Sequence, residues 1–252
     1  MPLKVVLDAG HGGSDPGAVY NGRRESDDNL NLALELGQIL RDAGIDVVYT
    51  RTGDTTQTPF EKATIANQSG ADLFISLHRN SSPIPGQYSG VETLVYDDNG
   101  NKAELARRIN ENLTTVGYQN LGVKERPGLV VLRRTNMPAV LVETGFINNN
   151  HDNVIYDNQF RQIAEQIADA VIAMQQDFTR SGVYRVQIGL FRMFSNAQYT
   201  LMQAISKGFS GEIVSKGEYY AVLIGGTDSY MKAQELERQL NAAGFDTLIV
   251  TD

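Results

Sequence analysis

Two of the three histidines in this sequence follow or end short apolar segments. His11 comes after "LKVVLDAG" and is surrounded by glycines, which allow backbone conformations that a Cβ would forbid. His78 ends the segment "ADLFISLH". Neutral imidazoles and carboxylates bind catalytic zinc, which takes three protein ligands and keeps one position open. The two histidines therefore make a candidate metal site, although a lone histidine in such a turn is more often structural.

Two glutamates and the remaining histidine complete the set of candidate residues. Glu25 lies in the polar segment "NGRRESDDNL", from which the chain can fold back to the end of the first strand. Taken alone, it would be an acidic residue stabilised at a helix N-terminus. Glu143 follows "AVLV", where a carboxylate is costly to bury unless it is paired or catalytic, and it could serve as general base and then general acid. His151, in "NNNHDN", is most simply a solvated loop residue.

Strand and helix patterns alternate along the first two thirds of the chain. The segments typical of buried strands are "LKVVLDA", "IDVVYTR", "ADLFISLH", "GVETLVY" and "PAVLVETGF". Helical patterns occur in "NLNLALELGQILRDAG", "FEKATIANQSG", "KAELARRINENL" and "FRQIAEQIADAVIAMQQ". This alternation predicts an α/β fold with a mostly parallel sheet flanked by helices. Ligands bind at the carboxyl ends of the strands in such sheets, and His11, His78 and Glu143 all lie at predicted strand ends.

The last part of the chain contains an internal repeat. "YRVQIG" at 184–189 returns as "YAVLIG" at 220–225, and three further anchors recur at the same displacement of 36 residues. Each copy has a strand–helix–strand pattern, so two copies predict a small α+β domain of βαββαβ order. We therefore predict two domains, residues 1–178 and 182–252, joined at the short linker "TRSG".

Composition limits the classes of protein to which the chain can belong. It has 252 residues, of which 41% are hydrophobic and 21% are charged, as expected for one or two globular domains. The absence of cysteine excludes disulfides and thiolate metal sites. No apolar run reaches the roughly 18 residues needed to span a bilayer. The net charge of -8 argues against nucleic acid as a partner, and composition does not indicate an oligomeric state.

Four separated motifs resemble a known family of wall enzymes. "LDAGHGGSDPGA", the glutamate of "RRES", "ADLFISLHRN" and "MPAVLVETGFINN" occur in the order and spacing of the zinc-dependent N-acetylmuramoyl-L-alanine amidases called amidase type 3. The resemblance covers roughly residues 3 to 177. It implies that His11, Glu25 and His78 bind Zn2+ and that Glu143 is the catalytic acid/base.

Two further positions are compared with the same family. Asn80, two residues after the second histidine, matches an asparagine that we expect to shape the substrate site by hydrogen bonding. The family usually has an arginine in the second helix where this chain has Lys62. We expect that difference to alter a helix-to-sheet contact without touching the metal.

The C-terminal part resembles SPOR domains, which bind peptidoglycan glycan strands that have lost their peptides. The opening "YRVQIGLF" carries the strongest local similarity. Strand alternation places Val186 and Ile188 on one side and Gln187 on the other, so Gln187 is the predicted glycan contact, although an exposed strand residue without a role is nearly as good an interpretation. The chain has no Trp, so Tyr or Phe would have to stack on sugars.

These features predict a zinc hydrolase of peptidoglycan that cuts the amide between N-acetylmuramic acid and L-alanine. A non-catalytic wall-binding or regulatory protein and a zinc amidohydrolase acting on another amide are the alternatives. Because no secretory signal precedes the first strand, we expect synthesis in the cytoplasm and action at the wall after lysis or assisted release. A sporulation autolysin and a phage or prophage endolysin both fit that route.

Overall fold

The computed structural model describes residues 3–179, 183–227 and 230–251. The chain divides into two compact units, Met1–Met174 and Gln175–Asp252, and each is described by itself below. Most of the predicted linker, residues 180–182, lies outside the described residues. The domain boundaries predicted from the sequence therefore stay predictions.

In its described residues, the first unit has eight strands. They are β1 (Lys4–Ala9), β2 (Val19–Tyr20), β3 (Arg23–Arg24), β4 (Asp46–Tyr49), β5 (Leu73–Asn80), β6 (Val91–Val95), β7 (Asn120–Glu125) and β8 (Ala139–Phe146). Six of them form one sheet in the order β4-β1-β5-β8-β6-β7, and β2 pairs with β3 in a small hairpin. All neighbours in the large sheet are parallel except β6 and β8. The predicted α/β fold with a mostly parallel sheet is confirmed.

The part of this unit that the structure describes also has six helices, the last of which extends to Thr179. They are α1 (Glu25–Asp42), α2 (Pro59–Gln68), α3 (Gly100–Thr114), α4 (Val130–Arg133), α5 (Asn150–Asn158) and α6 (Phe160–Thr179). At the start of α2, Thr58 and Glu61 form a reciprocal capping box, which satisfies backbone donors that the first turn leaves free. Residues of α2 and α4 pack with Val6, Phe74 and Leu141 on one face of the sheet. Consecutive residues of β1 and β5 are fully buried, as expected for strands covered on both faces.

The antiparallel strand β6 has a direct effect on the site. Only a short loop without a helix separates Asn80 from Val91, and a parallel crossover needs a longer connection, usually a helix. β6 therefore runs opposite to β8, and its first residues lie beside the carboxyl end of that strand. The register pairs Glu92 with Glu143, and Glu143 with His78. Three polar side chains from adjacent strands thus meet in one row, and β5 and β8 continue beyond His78 and Glu143 to Asn80 and Phe146.

The second unit has the predicted βαββαβ order. Its elements are β9 (Tyr184–Phe191), α7 (Phe194–Ser206), β10 (Gly211–Lys216), β11 (Tyr219–Thr227), α8 (Tyr230–Ala242) and β12 (Leu248–Thr251). The strands form an antiparallel sheet in the order β10-β11-β9-β12. Both helices pack against the face that carries Val186 and Ile188. Gln187 is half-buried on β9, between its register neighbours Leu223 and Leu248.

Within the described ranges, no helix combines the length and the apolar character needed to cross a membrane.

Candidate metal centre and active site

Two histidines and one glutamate converge at the carboxyl edge of the large sheet. Each of His11, Glu25 and His78 can offer one ligand atom, and these atoms lie within 4.8 Å of one another. Glu25 Oε1 lies 3.2 Å from His11 Nε2 and 2.9 Å from His78 Nδ1. The imidazole rings stand edge to face, with their centroids 4.9 Å apart. The structure therefore brings together all three residues that the sequence predicted as metal ligands.

The turn after β1 presents His11 to this cluster. His11 itself has a φ of 59°, which is uncommon for a residue with a side chain. Its Nδ1 is 2.8 Å from Asp15 Oδ2, so the carboxylate orients the ring and leaves Nε2 facing Glu25. A Cβ on Gly10 would collide with the imidazole of His78, and one on Gly17 would lie 2.6 Å from Glu25 Oε2. Glycine is required at both places because these side chains approach the backbone closely.

Glu25 is the first residue of α1 and not part of a loop before that helix. Its carboxylate is almost completely buried and accepts several hydrogen bonds. Oε2 accepts from the backbone of Ala18 at 2.9 Å. Oε1 accepts from the backbone of Arg79 at 3.1 Å and from the Asn29 amide at 3.3 Å. These donors and the positive end of the helix dipole favour the ionised carboxylate that a metal ligand requires.

The charges of this cluster are mutually dependent. Burial raises the pKa of Glu25, but its hydrogen bonds with His11 and His78 outweigh that effect and hold the pKa well below its ordinary value. Burial lowers the pKa of His11, but Glu25 and Asp15 together raise it to about 9. A cation bound among the three residues would take over the stabilisation of the carboxylate. Two imidazoles and one carboxylate, with a carboxylate behind one imidazole, are a donor set that suits zinc.

Glu143 lies beside this cluster in a different environment. Burial raises its pKa to about 7, the negative charges of Glu25 and Glu92 act in the same direction, and His78 acts against them. Among the described residues, Glu143 Oε2 is a buried atom without a hydrogen-bond partner. An unpartnered carboxylate oxygen next to a metal site can accept or donate a proton near neutral pH.

Asn80 acts on a residue that the sequence did not reveal. Its amide donates to Glu92 Oε1 at 2.9 Å, while its own carbonyl oxygen accepts from the backbone of Ser81 at 2.8 Å. Asn80 thereby holds Glu92 in the row next to Glu143. The sequence held a signal for Glu92, which is an acid inside the apolar segment "GVETLVY". It also held one for Asp15, which orients the His11 ring and lies four residues after that histidine.

Three other residues named from the sequence occupy different places. His151 is exposed in the first turn of α5 and does not belong to the cluster. Gln187 belongs to the second unit. Lys62 makes the expected helix-to-sheet contact, an ion pair of 2.8 Å with Asp8, and its ammonium also donates to the carbonyls of Ala9 and His11. That Lys62 does not touch the metal stays a prediction, although its ammonium reaches the backbone of His11, one of the three predicted ligands.

Known protein families match both parts of the chain. Residues 5–173 match the family described as N-acetylmuramoyl-L-alanine amidase. The chain belongs to that family. In addition, residues 180–251 of the amidase match the SPOR domain. Both resemblances predicted from the motifs are confirmed.

Individual relatives cover most of the amidase. It is 35% identical over 225 residues to the sporulation-specific N-acetylmuramoyl-L-alanine amidase of Bacillus subtilis (strain 168), with 85% of each chain covered. It is 33% identical over 190 residues to the endolysin of Bacillus phage SPP1, covering 72% of this chain and 69% of that protein. The crystal structure of an N-acetylmuramoyl-L-alanine amidase from Clostridium difficile 630 matches with a TM-score of 0.65 and 32% identity, covering 69% of this chain and 97% of that one.

Proposed function

We propose that the chain is a zinc-dependent hydrolase of the amide bond between N-acetylmuramic acid and the L-alanine of the stem peptide. The convergence of His11, Glu25 and His78 beside the unpartnered carboxylate of Glu143 is the observation that carries this proposal. Glu25 and Glu143 can be given different roles. The Glu25 carboxylate accepts several hydrogen bonds, whereas Glu143 Oε2 has no hydrogen-bond partner among the described residues.

The proposed reaction divides its work between these side chains. His11, Glu25 and His78 would hold the metal, and Asp15 would keep the His11 ring in the orientation that offers Nε2. When bound, zinc polarises the scissile carbonyl and activates a water molecule for attack. Glu143 takes the proton from the attacking water and delivers it to the leaving amine of L-alanine. Its pKa of about 7 suits both transfers at neutral pH, because neither protonation state is strongly favoured.

We propose that Asn80 helps to shape the surface on which the substrate lies. It fixes Glu92 with a hydrogen bond of 2.9 Å, and Glu92 pairs in register with Glu143. The polar row from Asn80 to Glu143 would then form part of the surface against which the amide is placed.

The decisive experiment separates metal binding from chemistry. His78→Ala should lower zinc content and muropeptide hydrolysis together, whereas His151→Ala, which alters an exposed histidine, should change neither. Glu143→Gln should keep the zinc and reduce hydrolysis by about 10²- to 10⁴-fold, the usual scale for general acid–base catalysis. Glu104→Gln, at an exposed position of α3, is the matched control.

Each opposite result has a defined meaning. Full hydrolysis after thorough chelation would contradict a zinc enzyme. Loss of zinc from Glu143→Gln would make Glu143 a ligand and reverse the two glutamate roles. If the wild-type protein binds zinc and wall material without turnover, the result would support a non-catalytic wall-binding or regulatory protein. Turnover confined to amides outside the wall would support a zinc amidohydrolase acting on another amide.

For the C-terminal part we propose binding to glycan strands that lack peptides, with residues 1–178 catalytic and residues 182–252 wall-binding. The SPOR match and the position of Gln187 on the central strand β9 support this role. Holding the enzyme on glycan would raise its local concentration near the scissile amides.

As the biological setting we propose autolysis during sporulation. Its support is the sporulation-specific relative, which is matched over 85% of both chains, whereas the phage endolysin is matched over 72% of this chain. Expression confined to sporulating cells is the expected result. A gene that lies beside a holin and is expressed only during phage growth would favour the endolysin instead.

A further inference from the structure

Arg51 follows β4 and directs its buried side chain toward the metal cluster. Among the described residues, its guanidinium donates hydrogen bonds to four backbone carbonyls. Nε donates to Ala9 at 3.0 Å, Nη1 donates to Gly53 at 3.0 Å, and Nη2 donates to Gly10 at 3.0 Å and Ser26 at 2.8 Å.

Two of these carbonyls flank the proposed metal ligands. Gly10 immediately precedes His11, and Ser26 immediately follows Glu25. One nitrogen, Nη2, therefore joins the turn that presents the histidine to the first turn of the helix that presents the glutamate. These two segments come from different elements, β1 and α1, so their separation depends on contacts of this kind.

The turn around His11 is shaped to receive the guanidinium. Gly12 has a φ of 128°, and a Cβ at that position would lie 2.8 Å from Arg51 Nε. Lys62 donates to Ala9 at 2.7 Å, so two cations hold the chain just before His11. A guanidinium suits this task because its donors lie in a fixed plane and it stays charged. Filling the same space for packing alone would not require a buried charge, which is costly to desolvate.

We propose that Arg51 is a positioning residue that sets the distance between His11 and Glu25 and thereby the affinity of the site for zinc. This inference rests on the proposed zinc-dependent function. In this role Arg51 acts on two of the proposed ligands through the backbone carbonyls of Gly10 and Ser26.

The test uses the full chain with Arg51→Lys and Arg51→Met. Zinc affinity is measured by competition with a chromophoric chelator, and the absorption of the cobalt(II)-loaded protein reports ligand geometry. Residues that orient metal ligands typically contribute about 10- to 100-fold in metal affinity, so Arg51→Met should bind zinc that much more weakly. Arg51→Lys should fall in between, because it keeps the charge but replaces the planar fork by one ammonium group.

A purely structural effect is recognised with a matched control. Ile109→Ala removes buried side-chain volume from α3, so it should lower the melting temperature of the metal-free protein without changing zinc affinity. If the Arg51 variants lose melting temperature in the same way and bind zinc like the wild type, the proposal is wrong. If Arg51→Met does not fold, Arg51→Lys decides the question alone. A wild-type protein that fails to bind zinc would refute the proposed function instead.

Discussion

Zinc affinity should depend strongly on pH because the metal must displace a proton from His11. The pKa of this histidine in the metal-free protein is about 9, raised by Glu25 and Asp15 against the effect of burial. Only the neutral imidazole binds metal, so affinity falls as pH drops below that value. Between pH 9 and pH 7 the contribution of His11 alone is about 50-fold, because the neutral fraction of its imidazole falls from about one half to about one hundredth.

The assay is a titration of metal-free protein with zinc at several pH values, using a chelator of known proton dependence as competitor. Calorimetry in buffers with different protonation enthalpies then counts the protons released at pH 7. Asp15→Asn should reduce that count, because removing the carboxylate lowers the pKa of His11. The same variant should weaken zinc binding at pH 9, where the effect on the proton is small and the loss of ring orientation dominates.

Asp98→Asn is the control, because this acid is on the surface and pairs with Arg107 away from the cluster. It should behave like the wild type at every pH. A zinc affinity that stays constant between pH 7 and pH 9 would refute the reasoning, because it would mean that His11 is already neutral in the metal-free protein.

Three further predictions concern the neighbours of the site and the C-terminal part. Glu92→Gln should move the acidic limb of the pH–rate profile to lower pH, because the charge of Glu92 helps to raise the pKa of Glu143; an unchanged profile would contradict the coupling. Gly17→Ala should reduce zinc affinity by at least about tenfold through its contact with Glu25, whereas Gly22→Ala, which shares a positive φ but has open space, should not. Gln187→Ala should weaken retention on peptide-free glycan and leave the hydrolysis of small soluble muropeptides unchanged, and equal retention would remove Gln187 from the binding surface.

Much of the fold could be predicted because the buried parallel strands carry their signal locally. "ADLFISLH" and "PAVLVETGF" are apolar runs of the right length, and their polar ends correctly indicated one edge of the sheet. β7 was missed because Asn120–Glu125 is polar and half-exposed, and it contains a glycine. The direction of β6 was not predicted either, although the short connection between Asn80 and Val91 was a signal for it, because a parallel crossover needs a longer connection.

The proposed metal ligands could be predicted from the sequence, but the contacts that hold them in position could not. His11, Glu25 and His78 were identified by motif and spacing, and the structure brings them together. The contacts of Arg51 with the backbone on both sides of the cluster could not be predicted, because they join segments that are distant in sequence and use carbonyl groups that every residue has. A sequence does not show which backbone carbonyls will accept hydrogen bonds from a side chain.

The difference between the two glutamates follows from the donors around them. Glu25 accepts hydrogen bonds from the backbone of Ala18 and Arg79 and contacts both imidazoles, so its negative charge is stabilised and its pKa is low. Glu143 has a buried oxygen without a partner among the described residues and lies in register with Glu92, so its negative charge is disfavoured and its pKa is high. A ligand must remain ionised, whereas a general base must be able to hold a proton. The same side chain therefore suits opposite tasks at two positions, because backbone donors and two imidazoles surround Glu25, whereas burial and the nearby charge of Glu92 act on Glu143.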